Sequence, residues 1–305
     1  MVMLSREAFA RARGFVFRHG RPLDRARFGH RFESRPASEV VAELARFQNP
    51  DGGFGHALEP DLRAAASSAI ATSMAFAVLR EVDAPATDPV VRRGVAYLLE
   101  TYDGERSVWR IVPPEVEDAP HAPWWTYTGV DQTFDGCRVN PTADLLGVLH
   151  DYAELVPPGL LARLTATVLD RLEEAAADDL NAFRCAVTLA AARRLPEATR
   201  GRLAEVLAAG VHRVVNLDPA AWPTYVLQPL EAAPSPRSTL AGVIDRAAID
   251  TNLDYWIHGQ QADGAWPLTW SWAEVDESAW RQAERDGKGL QIVERLTVLH
   301  AYGRL

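Results

Sequence analysis

The sequence predicts an all-α fold, an (α/α)6 toroid in which helical hairpins form a double ring, with residues 1–305 as one domain. Three observations predict it. The segment Gln48-Asn49-Pro50-Asp51-Gly52-Gly53-Phe54-Gly55 returns near the other end as Gln260-Gln261-Ala262-Asp263-Gly264-Ala265-Trp266. A worn third copy, Arg93-Gly94-Val95-Ala96-Tyr97-Leu98 followed by Asp103-Gly104 and Trp109, lies between them; Asp103 is 52 residues after Asp51 and 160 before Asp263. A period of roughly fifty residues is the size of a repeated supersecondary unit. Helical periodicity fills most of the rest, and strand-like alternation is nearly absent.

The elements follow in chain order. Asp61 is expected to cap a long helix through Val82, whose run Ala64-Ala65-Ala66-Ser67-Ser68-Ala69 is small enough for close helix approach. The same small-residue texture recurs from Pro141 to Gly147 and from Asn181 to Ala190. Between these, Gly159 to Ala176 and Glu197 to Ala209 carry charges along one solvated face. Buried and amphipathic helices thus alternate, as an inner ring wrapped by an outer ring requires, and six pairs of roughly fifty residues use the whole chain. An open stack of hairpins is the rival, and such arrays end in polar capping units. Here the end units carry the best-preserved motifs together with Phe9, Phe15, Phe17, Leu290, Ile292 and Leu296, which favours closure.

Composition excludes several classes. Hydrophobic residues at 48% and charged residues at 24% are ordinary for a globular protein with a sizeable core. A net charge of −9 without a Lys/Arg cluster argues against nucleic acid and acidic membranes as partners. Two cysteines, Cys137 and Cys185, are too few for a disulfide framework. Charges at Arg6, Glu7, Arg11, Arg13 and Arg18 interrupt any secretory leader, and no apolar run of about eighteen residues spans a bilayer. The expectation is a cytoplasmic protein of undetermined oligomeric state.

Gln-x-x-Asp-Gly-x-Trp after an aromatic helix end, Tyr255-Trp256-Ile257, resembles the QW repeat of the terpenoid cyclases and protein prenyltransferase β subunits. Gln261, Gly264 and Trp266 are read as the match, and Gln48, Gly52 and Phe54 as a second with Phe in place of Trp. The resemblance implies that glutamine and ring staple neighbouring outer helices and do no chemistry. It also implies an isoprenoid or similar apolar ligand in a central aromatic-lined cavity. The chain departs from the family at the Asp-x-Asp-Asp acid motif, which it lacks. Asp135, Cys137 and His150 are the nearest counterparts of the prenyltransferase zinc ligands, and the match is poor; no metal or other cofactor is expected.

Candidate site residues come from the segments leading into the small-residue helices, where free N–H groups favour anions. These are His56 to Asp61, Gly136 to Thr142, Asp178 to Asn181, Trp222 to Tyr225 and Lys288 to Gln291. Glu59 and Asp61 are the acid pair: two carboxylates close together do not both ionise easily, so one holds a proton to donate. The structural alternative makes Asp61 a helix cap and tethers Glu59 to an arginine. His56 either orients the pair or satisfies a carbonyl. Of nine tryptophans, most fall in Trp124-Trp125-Thr126-Tyr127 and in Trp266, Trp270, Trp272 and Trp280. Trp124, Trp125, Tyr127, Trp222, Tyr225, Trp270 and Trp272 are read as substrate-binding, against core packing as the plain alternative. The Pro-rich run from Pro113 to Pro123 marks a lid or binding loop. Arg138 clamps an anion or pairs with Asp135 or Asp144. Asp250 and Asp254, one helical turn apart, either hold Mg2+ with a diphosphate or form a solvated face.

Three function classes remain open on the sequence: a terpenoid-cyclase-like protein using Glu59 or Asp61 as proton donor, a carbohydrate-active (α/α)6 enzyme, and a non-catalytic ligand-binding or interaction scaffold.

Overall fold

A computed structural model describes residues 2–305. Helix accounts for 59% of it, against the roughly one-third usual in globular proteins, and no strand occurs among the described residues, so the chain is all-α. Its α-helices are α1 (Arg6–His19), α2 (Pro22–Phe32), α3 (Ala37–Leu44), α4 (Ala69–Glu81), α5 (Pro89–Glu100), the single turn α6 (Val130–Thr133) and α7 (Thr142–Asp151). There follow α8 (Pro158–Ala175), α9 (Leu180–Ala190), α10 (Glu197–Val214), the short α11 (Pro229–Ala232), α12 (Arg246–His258) and α13 (Glu277–Ala301). None is long and apolar enough to cross a membrane.

Local chemistry starts these helices. Ser5, Ser68, Asp88, Asp179, Asp245 and Asp276 each accept a first-turn amide with the side chain, satisfying donors that the helix leaves unpaired. Pro22, Pro89 and Pro158 occupy first-turn positions where no N–H is needed. The helices expected from 159 and from 181 are α8 and α9, α7 covers the small-residue stretch after Pro141, and α10 runs on past Ala209 to Val214.

Two expectations are corrected. The helix expected from Asp61 begins only at Ala69, because the backbone before it is used otherwise. The Ser68 amide donates to the Phe54 carbonyl at 3.0 Å and the His56 amide to the Ala64 carbonyl at 3.0 Å. A Cβ on Gly55 would lie 2.2 Å from the Ala66 carbonyl oxygen, so the small residues here serve an approach between loops. Lys288 to Gln291, expected to lead into a helix, lie in the middle of α13.

The chain forms two compact units, Met1–Glu43 with Val211–Leu305, and Leu44–Gly210. In the first, α1, α2 and α13 pack together over Phe15, Val16, Phe28, Ile292 and Leu296, all buried. Phe28 also meets the rings of Phe9, Phe17 and Phe32 at 5.0–5.9 Å. The buried Arg304 ties α12 to the N-terminal segment through Asp250, Asp254 and the Val2 carbonyl, each at 2.7 Å. In the second unit, α4, α7 and α9 enclose Phe76, Leu79, Leu145, Leu149, Phe183 and Leu189. Arg80 on α4 bonds the buried Asp151 on α7 at 2.6 Å.

The two motif copies share one geometry, each inside its own unit. Gln48 Nε2 donates to the carbonyls of Gly52 and of Val90 on α5, both at 2.9 Å, and Arg93 of α5 donates to its Oε1. Gln260 Nε2 donates to the carbonyls of Gly264 at 3.1 Å and of Ala8 on α1 at 2.9 Å, and Arg11 of α1 donates to its Oε1 at 3.1 Å. Asp51 and Asp263 each accept the amide two residues on at 2.9 Å. Gly52 and Gly264 sit at φ 92° and 96°, their missing Cβ atoms pressed against the backbone of Arg93 and Arg11; a side chain there meets both steric barriers. The structural glutamine of the second copy is therefore Gln260, not Gln261. Phe54 and Trp266 are fully buried. In the worn copy, Asp103 instead closes a hairpin with Val108, and the Trp109 indole donates to the Leu98 carbonyl at 2.7 Å.

Candidate functional site

The unit Leu44–Gly210 brings the acid pair and the Pro-rich loop together. The Ala122 amide donates to the Asp61 carbonyl at 2.8 Å and the Arg63 amide to the Pro120 carbonyl at 3.0 Å, so residues 61–63 lie antiparallel to 120–122. Asp61 is buried, and its amide donates to Glu59 Oε1 at 3.1 Å. The two carboxyl-bearing residues are thus one turn, fixed to the loop that carries Trp124 and Trp125.

His56 does not orient that pair. It is exposed, with φ 55°, and its Nε2 is 2.8 Å from Asn49 Oδ1. Since Asn49 spends its NH2 on the Ala65 carbonyl and Ser67, the histidine is assigned Nε2–H and donates. His56 therefore anchors the first motif loop.

Beyond Ala122 the loop turns at Pro123–Trp125. Trp125 is buried and stacks on Phe134 with ring centres 5.4 Å apart and planes 12° apart, its indole N–H enclosed without a partner. Trp124 is half-buried. The Tyr127 amide donates to Glu117 at 2.6 Å, and Arg110 lies 4.2 Å from its ring centre. Phe134 also lines a cleft of about 170 Å³ with Thr133, Asp135, Val139, Asn140, Asp179 and Asn181. Two of the expected lead-ins, to α7 and to α9, therefore converge. The cleft is smaller than the roughly 300 Å³ at which ligand pockets begin, and admits one end or branch of a ligand. His121, whose Nδ1 is 2.9 Å from the Ala119 carbonyl and Nε2 3.4 Å from Thr126, joins the site together with Phe134 and Arg110. The Pro-rich run contains His121 but gave no sign of its role, and it did not signal Phe134 or Arg110.

Arg138 faces outward, bonding Asp135 at 3.4 Å and Glu174 at 3.2 Å; the anion clamp is replaced by surface pairing, and Asp144 is not its partner. Asp144, in the first turn of α7, faces the side chains of Cys185 and Thr188 on α9, near Arg80. Burial pushes its carboxyl up to about 7 despite those lowering contacts, and its Oδ1 is enclosed without a partner. Burial, with Asp144 alongside, also holds the Cys185 thiol well above its usual range.

The remaining candidates, Asp135, Cys137 and His150 apart, lie in the other unit. Trp222 is fully enclosed, its indole donating to the Asn216 carbonyl at 2.8 Å; it is a core residue rather than part of a ligand wall. Trp272 is buried with its ring centre 5.8 Å from that of Trp280. Tyr225 is 52% exposed and meets the half-buried Trp270 edge-on at 6.5 Å. The Mg2+ reading of Asp250 and Asp254 is overturned by Arg304, whose guanidinium holds both carboxylates, with Arg246 also on Asp250. Asp135, Cys137 and His150 are separately engaged: Asp135 with Arg138, the buried Cys137 sulfur with the Ile111 amide at 3.4 Å, and His150 with Thr165 at 2.9 Å. Among the described residues no group of three or more His, Cys, Asp and Glu is placed to hold a metal ion.

The chain matches no known protein family, no curated protein and no solved structure.

Proposed function

We propose that the chain is a terpenoid-cyclase-like protein that binds, and acts on by proton donation, an isoprenoid or similar apolar ligand. The single observation carrying this reading is the hydrogen-bonded pairing of residues 61–63 with 120–122, which ties the turn bearing Glu59 and Asp61 to the loop bearing Trp124 and Trp125. Aromatic faces stabilise a developing cation and exclude water; Asp61, buried next to Glu59, is the donor. The reading includes an (α/α)6 toroid. Two of its helical hairpins are represented by α1 with α2 and by α8 with α9, each of which packs together. The segment after α12 seats on α1 as the segment after α3 seats on α5, the arrangement a closed ring asks for.

Purified protein incubated with linear prenyl diphosphates and polyprenes, with products extracted and analysed, tests the proposal. Cyclised or isomerised product that disappears in Asp61→Asn or Glu59→Gln is expected. No turnover, with no thermal stabilisation by prenyl compounds, refutes it; stabilisation by oligosaccharides instead transfers the site to carbohydrate chemistry.

A further inference from the structure

Arg295 on α13 is only 9% exposed. Its guanidinium carbon lies 4.7 Å from the ring centre of Trp256 and 5.7 Å from that of Trp266. Both rings are pinned: the Trp266 indole donates to the Trp256 carbonyl at 2.6 Å, and the Trp256 indole to Gln228 Oε1 at 2.7 Å. The arginine is therefore held in place before anything binds to it.

A guanidinium carries five N–H donors, and buried polar groups are almost always hydrogen-bonded. Arg295 makes no hydrogen bond or ion pair with any described residue. Its nitrogens are not among the fully enclosed unpaired atoms such as Trp125 Nε1 and Asp144 Oδ1, so each keeps some accessible surface. Other buried arginines in the same unit differ: Arg304 has two carboxylates and a carbonyl, and Arg21 has Asp24 at 2.9 Å. Burial draws the Arg295 guanidinium down to about 10, with Glu231, Tyr255 and Glu294 opposing the shift through space, so the group stays cationic at neutral pH. Glu231 accepts the Gln228 amide at 2.7 Å and bonds none of the Arg295 donors. A buried charge without a complement is costly; water satisfies donors but leaves the charge, whereas an oxyanion satisfies both.

We propose that Arg295, fixed against Trp256 and Trp266, is a binding site for a small oxyanion, a carboxylate or a phosphoryl group, held by paired N–H donors of the guanidinium. This site uses none of the residues proposed to act on the isoprenoid ligand, and its test is independent of that reading.

The test is calorimetric titration of the whole chain with inorganic phosphate and, separately, with acetate, ionic strength being held constant with chloride. One saturable site per chain is expected for at least one of them, weakened by about tenfold or more in Arg295→Gln. Arg295→Lys keeps the charge but loses the planar fork, and recovers only part of the affinity. Saturation by phosphate alone assigns a phosphoryl ligand, and by acetate alone a carboxylate. If Arg295→Gln does not fold, perturbation of the Trp266 indole N–H resonance by the same titrants, assigned with Trp266→Phe, carries the test. No saturable binding of either anion to the wild type overturns the proposal, as does undiminished binding in the Gln or Lys variant.

Discussion

Replacing Gln260 by Ala removes three interactions at once: donations to the carbonyls of Ala8 and Gly264, and acceptance from Arg11. The first two are partly buried and the third is exposed. At about 1 kcal/mol for each partly buried hydrogen bond, and less for the exposed one, the loss comes to about 2 kcal/mol. Gln261 has an exposed side chain and contributes through its backbone, its amide donating to the Ala265 carbonyl at 2.8 Å. Gln261→Ala leaves that bond intact and is expected to change stability by less than about 0.5 kcal/mol. Urea unfolding of both variants, followed by circular dichroism, reads the difference. Equal losses, or a larger loss in Gln261→Ala, would show that the motif does not seat on α1 through Gln260.

The carboxyl of Asp144 is raised from 3.8 to about 7 by burial, so the folded state holds that proton more tightly than the unfolded chain. Its contribution to stability is complete below about pH 4 and is lost as the pH rises through about 7; Asp144→Asn removes this slope and is more stable than wild type by a few kcal/mol at about pH 8, and unfolding curves with parallel pH dependence contradict it. Arg304→Met breaks the contacts to Asp250, Asp254 and Val2 and is expected to cost about 2–4 kcal/mol in urea unfolding; a loss under about 0.5 kcal/mol contradicts the structural role. Because Arg304 fills the space between those carboxylates, Mg2+ at about 1 mM leaves the wild-type melting temperature unchanged, and a rise of several degrees contradicts that. Gly264→Ala forces a Cβ to 2.3 Å from the Arg11 backbone at φ 96° and costs about 2–4 kcal/mol, whereas Gly201→Ala, in α10 with nothing within 4 Å, gains about 0.5–1 kcal/mol; a reversed order of melting temperatures refutes both.

The helices were legible where sequence period and caps agree. Asp179 before an apolar 3.6-residue pattern marks α9, and the recurrence of Asp-Gly before an aromatic marks two loops of matching geometry. What escaped prediction depends on contacts distant in sequence. The alanine run at 64–66 has strong helix propensity, yet its carbonyls meet Gly55 and His56, and tertiary contact overrides propensity. Gln260 and Gln261 are adjacent and chemically identical; only the contacts of Gln260 with Ala8, Arg11 and Gly264 distinguish them. The pairing of Asp61 with Ala122 crosses sixty-one residues, so the acids and the tryptophan loop were separately visible while their union was not. Asp250 and Asp254 had the spacing of a metal site, but the cation that occupies it comes from Arg304, fifty residues beyond Asp254.

Hydrogen–deuterium exchange with and without a saturating linear isoprenoid tests whether the carboxyl pair and the tryptophan loop form one ligand site. Slowed exchange is expected together in residues 56–63 and 120–134, abolished by Trp124→Ala with Trp125→Ala. Protection confined to other segments, or none at ligand saturation, would contradict it.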